Sequence, residues 1–362
     1  MRKLKIALIS PPYESVPPKK FGAIEFVVYN LTEELTKRGH KVYLLATGNS
    51  NTEAELMPYL PKNLREYPEA TDAKWEEKMM ALCAGRIINC LNVLDIDIAH
   101  NHCGTMIVPF LDVIKHPVVT TIHAPIGFYN PHSKIVYENF KHANYISLSN
   151  SQRKGMRDLN YVGTVYNGID TNRYKYSQKK GSYFAFLGRT SPEKGIKEAI
   201  IISKKAGVQL KIAAKYQSNK EYFERKIKPM IDGKQIEFIG EIGPKEKSNF
   251  LGNAIALLSP IQWEEPFGLV FIESMACGTP VIAFNRGSVS EIIEDRKTGF
   301  IIQKYDINTM VKAVKSLVAM PLEEYKMMSL NCRRQVEEMF TQEKMAENYE
   351  RIYYNILQMQ KC

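Results

Sequence analysis

The feature of this chain that most constrains its fold is a regular alternation of short β-branched apolar runs with longer amphipathic segments. In the first half, the predicted strands are LKIALIS, KVYLLAT, IDIAH, PVVTTIH, NYISLS and VGTVYN. The segments with helical spacing between them are 25–38, 73–92, 105–115, 132–141 and 150–159. Strands separated by helical crossovers pair in parallel, so we expect a parallel sheet with helices on both faces.

The same alternation begins again in the second half. The predicted strands there are SYFAFLG, VQLKIAA, QIEFIG, AIALLSP, PVIAF and GFIIQ. The predicted helices are 193–206, 219–230, 244–252, 268–277, 306–318, 321–338 and 342–359, and the polar stretch 168–181 is predicted to be the linker. The predicted fold class is α/β, with two tandem Rossmann-like, doubly wound domains. Ligands bind at the carboxyl ends of strands in such sheets, so we expect the site in a cleft where the domains face each other.

Composition narrows the function classes. The chain has 49 basic and 39 acidic residues, a formal net charge of +10. This charge suits a phosphorylated ligand or an anionic membrane surface, whereas we find no motif typical of nucleic-acid binding. The six cysteines form no CxxC pair, which disfavours zinc and disulfides. No apolar run approaches the ~20 residues of a membrane span. Pro11 and Pro12 end the first apolar stretch, which is therefore predicted to be a strand and not a signal peptide. We expect a cytoplasmic protein, with peripheral attachment at the inner membrane face left open.

The strongest candidate site is the segment that runs from Trp263 to Pro280. Pro266 favours an extended backbone at Glu265 and suits the first turn of a helix. We therefore expect Glu265 on the loop at a strand's carboxyl end, beside unpaired amides that suit an anion or a sugar hydroxyl. Glu273 falls within the helix among apolar neighbours, where a carboxylate needs partners, and a vicinal diol offers two donors.

A second candidate site is the segment from Gly188 to Gly195, which follows the strand SYFAFLG. Ser191 is predicted to cap a helix, with Pro192 as its first residue, which places Lys194 in the first turn. A cation there opposes the helix macrodipole, an arrangement that makes sense if an anion binds nearby. Arg189, on the preceding loop, can bind the same anion through bidentate hydrogen bonds.

The phrase EEPFGLVFIESMACGTPVIAF, with Glu265 and Glu273 in an E-x7-E spacing, resembles the donor-site signature of the fourth glycosyltransferase family (glycosyl transferases group 1), bacterial type. That family has the GT-B fold, retains the anomeric configuration and needs no metal. The resemblance implies an acceptor-side domain at 1–170 and a donor-binding domain at 171–341. It also implies that the last helix, about 342–362, packs back on the first domain.

The resemblance assigns roles to the carboxyl half of the chain. Glu265 is expected to contact the hydroxyls of the donor sugar, and Glu273 the ribose diol. Arg189 and Lys194 are expected to hold the diphosphate and stabilise it as the leaving group. Ile242 lies where the nucleotide base docks. Three residues are expected to hold donor hydroxyls and phosphates through their amides: Phe267, Gly268 and Leu269.

The amino-terminal half supplies further candidates. His123 matches a family histidine that lies against the donor sugar near the reacting carbon, and the alternative is a structural histidine. His102 is a candidate for acceptor binding or, equally, for a structural role, and Arg153 is a candidate for the acceptor or a phosphate. Gly22 is a candidate for close approach of the backbone to donor or acceptor, although this chain has Gly22-Ala23 where the family usually has two glycines.

We expect no metal and no cofactor, because the nucleotide sugar is a substrate and Asp95-Ile96-Asp97, a D-x-D pattern, is interpreted as the turn before a strand. The predicted activity is transfer of a hexose-type sugar, from UDP-glucose or a similar UDP-sugar, to an acceptor hydroxyl that the sequence does not identify. The alternatives are a phosphorylase or synthase that acts on an α-glucan, a non-catalytic subunit that binds a nucleotide sugar, and a nucleic-acid-binding protein.

Overall fold

A computed structural model describes residues 2–20, 22–70, 72–128, 131–215 and 219–359. The chain forms two compact units: a first unit of Met1–Gly168 with Gln342–Cys362, and a second unit of Ile169–Thr341. Each unit contains one parallel sheet flanked by helices, so the predicted α/β fold class is confirmed. Within the described ranges, no helix is both long enough and apolar enough to span a bilayer.

The sheet of the first unit has seven strands in the order β3-β2-β1-β4-β5-β6-β7. The strands are β1 (Lys5–Ile9), β2 (Lys41–Thr47), β3 (Glu55–Leu60), β4 (Ile98–Asn101), β5 (Val118–Thr121), β6 (Asn144–Ser147) and β7 (Tyr161–Thr164). Strand β3 was not predicted, because Pro58 interrupts its apolar pattern. A proline lacks an amide donor and is tolerated on an edge strand, which is where β3 lies.

The α-helices of this unit begin with α1 (Ala23–Lys37), α2 (Ala73–Val93) and α3 (Ser133–Asn139). The predicted helix at 105–115 is instead two 3-10 helices, Gly104–Met106 and Val108–Val113, and Pro109 at the start of the second prevents a continuous α-helix. The predicted helix at 150–159 is a single 3-10 helix, Ser151–Gly155, after which the backbone at Met156 is no longer helical. Both segments were therefore predicted wrongly as α-helices.

The second unit contains a six-stranded sheet in the order β10-β9-β8-β11-β12-β13. Its strands are β8 (Tyr183–Arg189), β9 (Leu210–Lys215), β10 (Ile236–Gly240), β11 (Ala254–Ser259), β12 (Val281–Phe284) and β13 (Gly299–Ile302). All six were predicted. Strands β8 and β11 are central neighbours, so the loops at their carboxyl ends lie beside each other.

The helices that cover this sheet are α4 (Ile196–Ala206), α5 (Lys220–Tyr222), α6 (Pro244–Gly252), α7 (Leu269–Ala276), α8 (Val289–Ile292), α9 (Ile307–Ala319) and α10 (Leu322–Met339). The helix predicted at 219–230 is broken into α5, a π-helical turn at Phe223–Ile227 and a 3-10 turn at Lys228–Met230. Pro229 cannot donate a backbone hydrogen bond, which accounts for the final break.

The last helix, α11 (Gln342–Met359), belongs to the first unit and packs on α1. Its buried face carries Tyr349 and Tyr353, which reach polar groups of the sheet. The Tyr353 hydroxyl lies 2.6 Å from Nδ1 of His100 on β4, and the Tyr349 hydroxyl lies 3.2 Å from Oγ1 of Thr121 on β5. These buried polar contacts fix the helix in register against the sheet.

Candidate active-site residues

Glu265 lies on the loop between β11 and α7 and is only 8% exposed. Its Oε2 accepts a hydrogen bond from Nζ of Lys194 at 2.7 Å and another from Nε1 of Trp263 at 2.9 Å. The Lys194 ammonium also lies 4.4 Å from the centre of the Trp263 ring. The three side chains therefore form one cluster, with a carboxylate and a cation held at a fixed separation on an aromatic surface.

Gly195 allows the loop that carries Lys194 to approach the loop that carries Glu265. Its φ is +75°, and a Cβ at this position would overlap the carbonyl oxygen of Pro260, at the end of β11. The amide of Gln262 also donates to the carbonyl of Glu193 at 2.8 Å, which joins the two loops by their backbones. A side chain at position 195 would push these loops apart, so glycine is needed there for conformation and for space.

The prediction that Lys194 lies in the first turn of an α-helix was wrong. Pro192–Lys194 is a 3-10 turn, and α4 begins at Ile196, after the left-handed Gly195. Ser191 precedes the turn, but its hydroxyl donates to the Glu193 carboxylate and makes no capping bond to the backbone. Lys194 is therefore positioned by its carboxylate and tryptophan neighbours and not by a helix dipole.

Arg189 is the last residue of β8, so it lies at the same edge of the sheet as the Lys194–Glu265 pair. Its guanidinium donates to Oε1 of Glu193 at 3.0 Å, and its side chain is 25% exposed. Glu193 thus orients Arg189 from within the 3-10 turn. The planar donor fork of arginine suits bidentate contact with a phosphate.

Glu273 lies within α7 and is 7% exposed. Its Oε1 accepts hydrogen bonds from Nζ of Lys247 on α6 at 2.7 Å and from the hydroxyl of Tyr174 at 3.0 Å. Burial, together with the neighbouring Glu273 charge, raises the pKa of Tyr174 well above its usual range, so this phenol stays a donor. Neither Lys247 nor Tyr174 could be identified from the sequence, because both are distant from Glu273 along the chain and belong to no motif.

The helix predicted at 268–277 is α7, within one residue at each end, but Pro266 does not lie in its first turn as predicted. The helix begins at Leu269, three residues after Pro266, and its N-cap is Gly268 with φ +87°. A Cβ on Gly268 would overlap the ring of Phe271, which explains the glycine. Phe267 is 2% exposed, and its carbonyl accepts a hydrogen bond from Oγ of Ser288 at 2.7 Å. The proposed amide-bearing residues 267–269 therefore form a rigid entry to the helix rather than its first full turn.

Ile242 lies in the connection between β10 and α6 and is half-buried. The next residue, Gly243, donates its amide to the Glu246 carboxylate at 2.7 Å, which closes the start of α6. This contact holds the connection close to the helix, and Ile242 keeps part of its apolar surface accessible.

In the first unit, His102 and His123 are brought together. Strand β5 ends at Thr121, so His123 lies on the loop two residues beyond it, not at the strand's end as predicted. Nδ1 of His102 lies 2.8 Å from Nε2 of His123. Burial lowers the pKa of His123 to about 3 and that of His102 well below its usual value, so both rings are neutral near pH 7.

The environment of His102 also selects the tautomers. Nε2 of His102 is buried and has no hydrogen-bond partner within the described part of the chain. A buried N–H without a partner is rare and costs about 1–3 kcal/mol, so the proton of His102 lies on Nδ1. Nδ1–H of His102 therefore donates to Nε2 of His123, and neutral His123 carries its own proton on Nδ1.

Both histidines line a cavity of about 310 Å³ that lies within the first unit. Its other polar walls include Tyr13 and Glu25, neither of which was a predicted site residue. Two predicted residues are not among those that line it. Arg153 instead donates hydrogen bonds to Ser147 and Thr164. Gly22 packs against Pro18 so closely that a Cβ at position 22 would lie 2.6 Å from the Cβ of Pro18.

Asp95 and Asp97 lie in the connection between α2 and β4. Asp95 forms an ion pair with Lys5, and Asp97 accepts from Arg2 and from the amide of Lys5, each at 2.8 Å. Both carboxylates thus hold the start of β1. Among the described residues, no three His, Cys, Asp or Glu side chains are grouped as metal ligands.

Comparison with known proteins decides the family. A sequence model described as glycosyl transferases group 1 matches residues 169–335, and one described as glycosyltransferase family 4 matches residues 24–173. The two matches together span most of both units. The chain belongs to the glycosyl transferases group 1 family.

Relatives that match over most of their length agree with this. The chain is 25% identical to the N-acetyl-α-D-glucosaminyl L-malate synthase of Bacillus anthracis, with 99% of both proteins covered. Among solved structures, it resembles sucrose-phosphate synthase from Thermosynechococcus elongatus, with a TM-score of 0.80, 18% identity and coverage of 99% of this chain and 100% of that one. It also resembles the Anabaena protein HepE in complex with UDP-glucose, with a TM-score of 0.74, 14% identity and coverage of 97% and 100%.

This group 1 glycosyltransferase therefore has the GT-B fold and uses a nucleotide-sugar donor. The match to the group 1 model contains Arg189, Lys194, Glu265 and Glu273. In the second unit these residues lie at the end of β8, in the turn that follows it, on the loop after β11 and in helix α7.

Proposed function

We propose that this glycosyltransferase is a retaining, metal-independent hexosyltransferase that transfers glucose, or a similar hexose, from a UDP-sugar to an acceptor hydroxyl. The product would be a cell-wall component, polysaccharide, glycolipid or small-molecule glycoside. The Lys194–Glu265 pair on the Trp263 ring supports this proposal most strongly, because it places a cation and a buried acceptor group at the carboxyl ends of adjacent parallel strands.

The two cations of this edge suit a diphosphate. One of the three N–H groups of the Lys194 ammonium donates to Glu265, so two can donate to phosphate oxygens. Arg189 adds a planar fork at the end of β8. Fixed cations that face a leaving diphosphate stabilise the charge it gains in the transition state, which is the contribution that a divalent metal makes in other sites.

The two carboxylates suit hydroxyl groups. Glu265 is expected to accept hydrogen bonds from the donor sugar. Glu273 is expected to accept from the two hydroxyls of the ribose, since Lys247 and Tyr174 offset its buried charge and hold it in one orientation. UDP is the preferred nucleotide because the Anabaena protein of the same fold is solved with UDP-glucose.

The proposed reaction is a front-face displacement. The bond between the anomeric carbon and the diphosphate oxygen breaks, and its electron pair leaves with the diphosphate. The acceptor oxygen bonds to the same face of that carbon, and its proton passes to the departing phosphate oxygen. His123 is neutral with its proton on Nδ1, so its role is to donate a hydrogen bond to the sugar and not to supply charge.

Release of UDP from UDP-glucose tests the proposal. Glu265→Gln should lower kcat/KM about a hundred-fold, because it removes the charge partner of Lys194 and an acceptor of sugar hydroxyls. The matched control is Glu294→Gln, which also breaks a 2.7 Å ion pair with a lysine, Lys297, but on an exposed surface. Its activity should equal that of the wild type.

Three further readouts test the finer statements. The wild type should keep its rate in EDTA, and proton NMR should show an α-linked product from an α-linked donor. Thermal-shift measurements with UDP-, GDP- and ADP-sugars should favour UDP. Absence of nucleotide release with every donor and acceptor, together with a thermal shift by UDP-sugars, would support the alternative, a non-catalytic nucleotide-sugar-binding subunit.

A further inference from the structure

The cavity of the first unit combines a mainly apolar wall with a buried carboxyl group. It lies between the loop after β1, the first turn of α1 and the loops after β4 and β5. Its volume of about 310 Å³ is at the lower end of the range for small-molecule pockets, about 300–1,000 Å³. Such a volume suits a compound of about monosaccharide size rather than a long chain.

Glu25 is the carboxylate that lines this cavity, and it is 5% exposed. No described side chain forms a hydrogen bond or an ion pair with it, and its charged form is favoured by hydrogen bonds from the backbones of Glu25 and Glu14 and by the more distant charge of Arg65. Burial dominates over these contacts and raises the pKa of Glu25 to about 7. A buried carboxylate of this kind is stabilised by hydroxyl donors supplied by a ligand.

The charge of the wall limits what can bind. Among the described residues, those that line the cavity include Glu25 but no lysine or arginine. Arg65 acts on Glu25 from outside the lining, and it forms an ion pair with Glu14. The two histidines of the wall are kept neutral by burial. A carboxylate or phosphate placed in this cavity would face Glu25 without a cation to pair with.

We propose that this cavity binds the acceptor, that the acceptor is an uncharged polyhydroxyl compound of about monosaccharide size, and that Glu25 accepts hydrogen bonds from its hydroxyls. The apolar walls contact the C–H faces of the compound. That the bound compound is the acceptor rests on the proposed function, whereas its binding in the cavity does not.

Calorimetric titration of the full chain at pH 8, where Glu25 is mostly ionised, with UDP present, tests the binding separately from turnover. The uncharged probes are methyl α-D-glucopyranoside and myo-inositol, and the anionic probes are L-malate and D-glucose 6-phosphate. The wild type should bind an uncharged probe at least ten-fold more tightly than either anion. Glu25→Gln should weaken the uncharged probe about ten-fold, the loss expected for a hydrogen bond to a charged group, and should strengthen the anions.

Two other variants locate the site. Ala124→Phe fills the cavity and should abolish binding of the uncharged probe. Glu77→Gln, which changes an exposed carboxyl on α2, should bind the probes as the wild type does.

Absence of binding by the uncharged probes, tighter binding of an anion, or equal affinities of the wild type and Glu25→Gln for the uncharged probes would each overturn the proposal. UDP release is measured with the same panel: binding without release contradicts the proposed function alone, and release with a KM unchanged by Ala124→Phe contradicts the cavity alone.

Discussion

Replacing Glu25 by glutamine should stabilise the first unit at pH 8 but not at pH 4. The pKa of Glu25 is raised from its usual 4.5 to about 7, mainly by burial, with a smaller increase from Glu14 and an opposing effect of Arg65. Between these values the native state holds a proton that the unfolded chain has lost, so the unfolding free energy falls as the pH rises. At 1.36 kcal/mol per pH unit, the full loss is about 3 kcal/mol.

Tryptophan fluorescence can report this effect from the first unit alone. The chain has two tryptophans, Trp75 on α2 and Trp263 in the second unit, so a Trp263→Phe background leaves one reporter. Urea unfolding of Glu25→Gln and its parent, each in this background, gives the difference in stability at each pH. Other titrating groups cancel in that difference.

The difference should be small at pH 4, should rise through the window from 4.5 to about 7, and should approach 3 kcal/mol above it. The exposed variant Glu77→Gln should change stability by no more than about 0.5 kcal/mol at any pH. A difference for Glu25→Gln that stays flat from pH 4 to pH 8, or that falls with pH, would refute the account of Glu25 as a buried carboxyl without a side-chain partner.

Three other perturbations have defined outcomes. Gly195→Ala should destabilise the second unit by roughly 2 kcal/mol or more, because alanine is strained in the left-handed conformation and its Cβ would overlap Pro260. Urea unfolding followed by Trp263 fluorescence measures this change, and an unchanged urea midpoint would contradict it. Glu273→Gln should raise the KM for UDP-glucose about ten-fold with little change in kcat, in steady-state assays of UDP release; a loss confined to kcat would exclude a ribose contact. His102→Leu should lower kcat about ten-fold, whereas His102→Asn, which keeps a donor near the position of Nδ1, should recover most of the lost activity. Equal kcat values for the two variants would show that His102 does not orient His123.

The sequence by itself determined most of the fold. Twelve of the thirteen strands in the described part of the chain follow from the period and the β-branched content of short apolar runs, because these properties are local and suit a buried parallel sheet. The missed strand, β3, contains a proline. Most errors in the predicted helices occur near a proline or glycine, where the chain forms 3-10 or π turns in place of an α-helix. The period of the apolar residues does not distinguish the hydrogen-bond patterns of these helix types.

The sequence also determined which residues to examine, since Glu265, Glu273, Arg189 and Lys194 stand out by motif. Their roles in the site remain predictions that the proposed assays test. Local sequence did not show that Lys194 and Pro266 lie outside the α-helices that follow them, because the left-handed glycines Gly195 and Gly268 precede those helices.

Only the tertiary structure decided which groups meet. Lys194 and Glu265 pair because β8 and β11 are neighbours and Gly195 lets their loops touch, although 71 positions separate the two residues. Lys247 reaches Glu273 only because α6 and α7 pack together. Glu25 resembles any first-turn helix carboxylate in the sequence. Its proton affinity is set by burial, a property of the packed chain that no local pattern records.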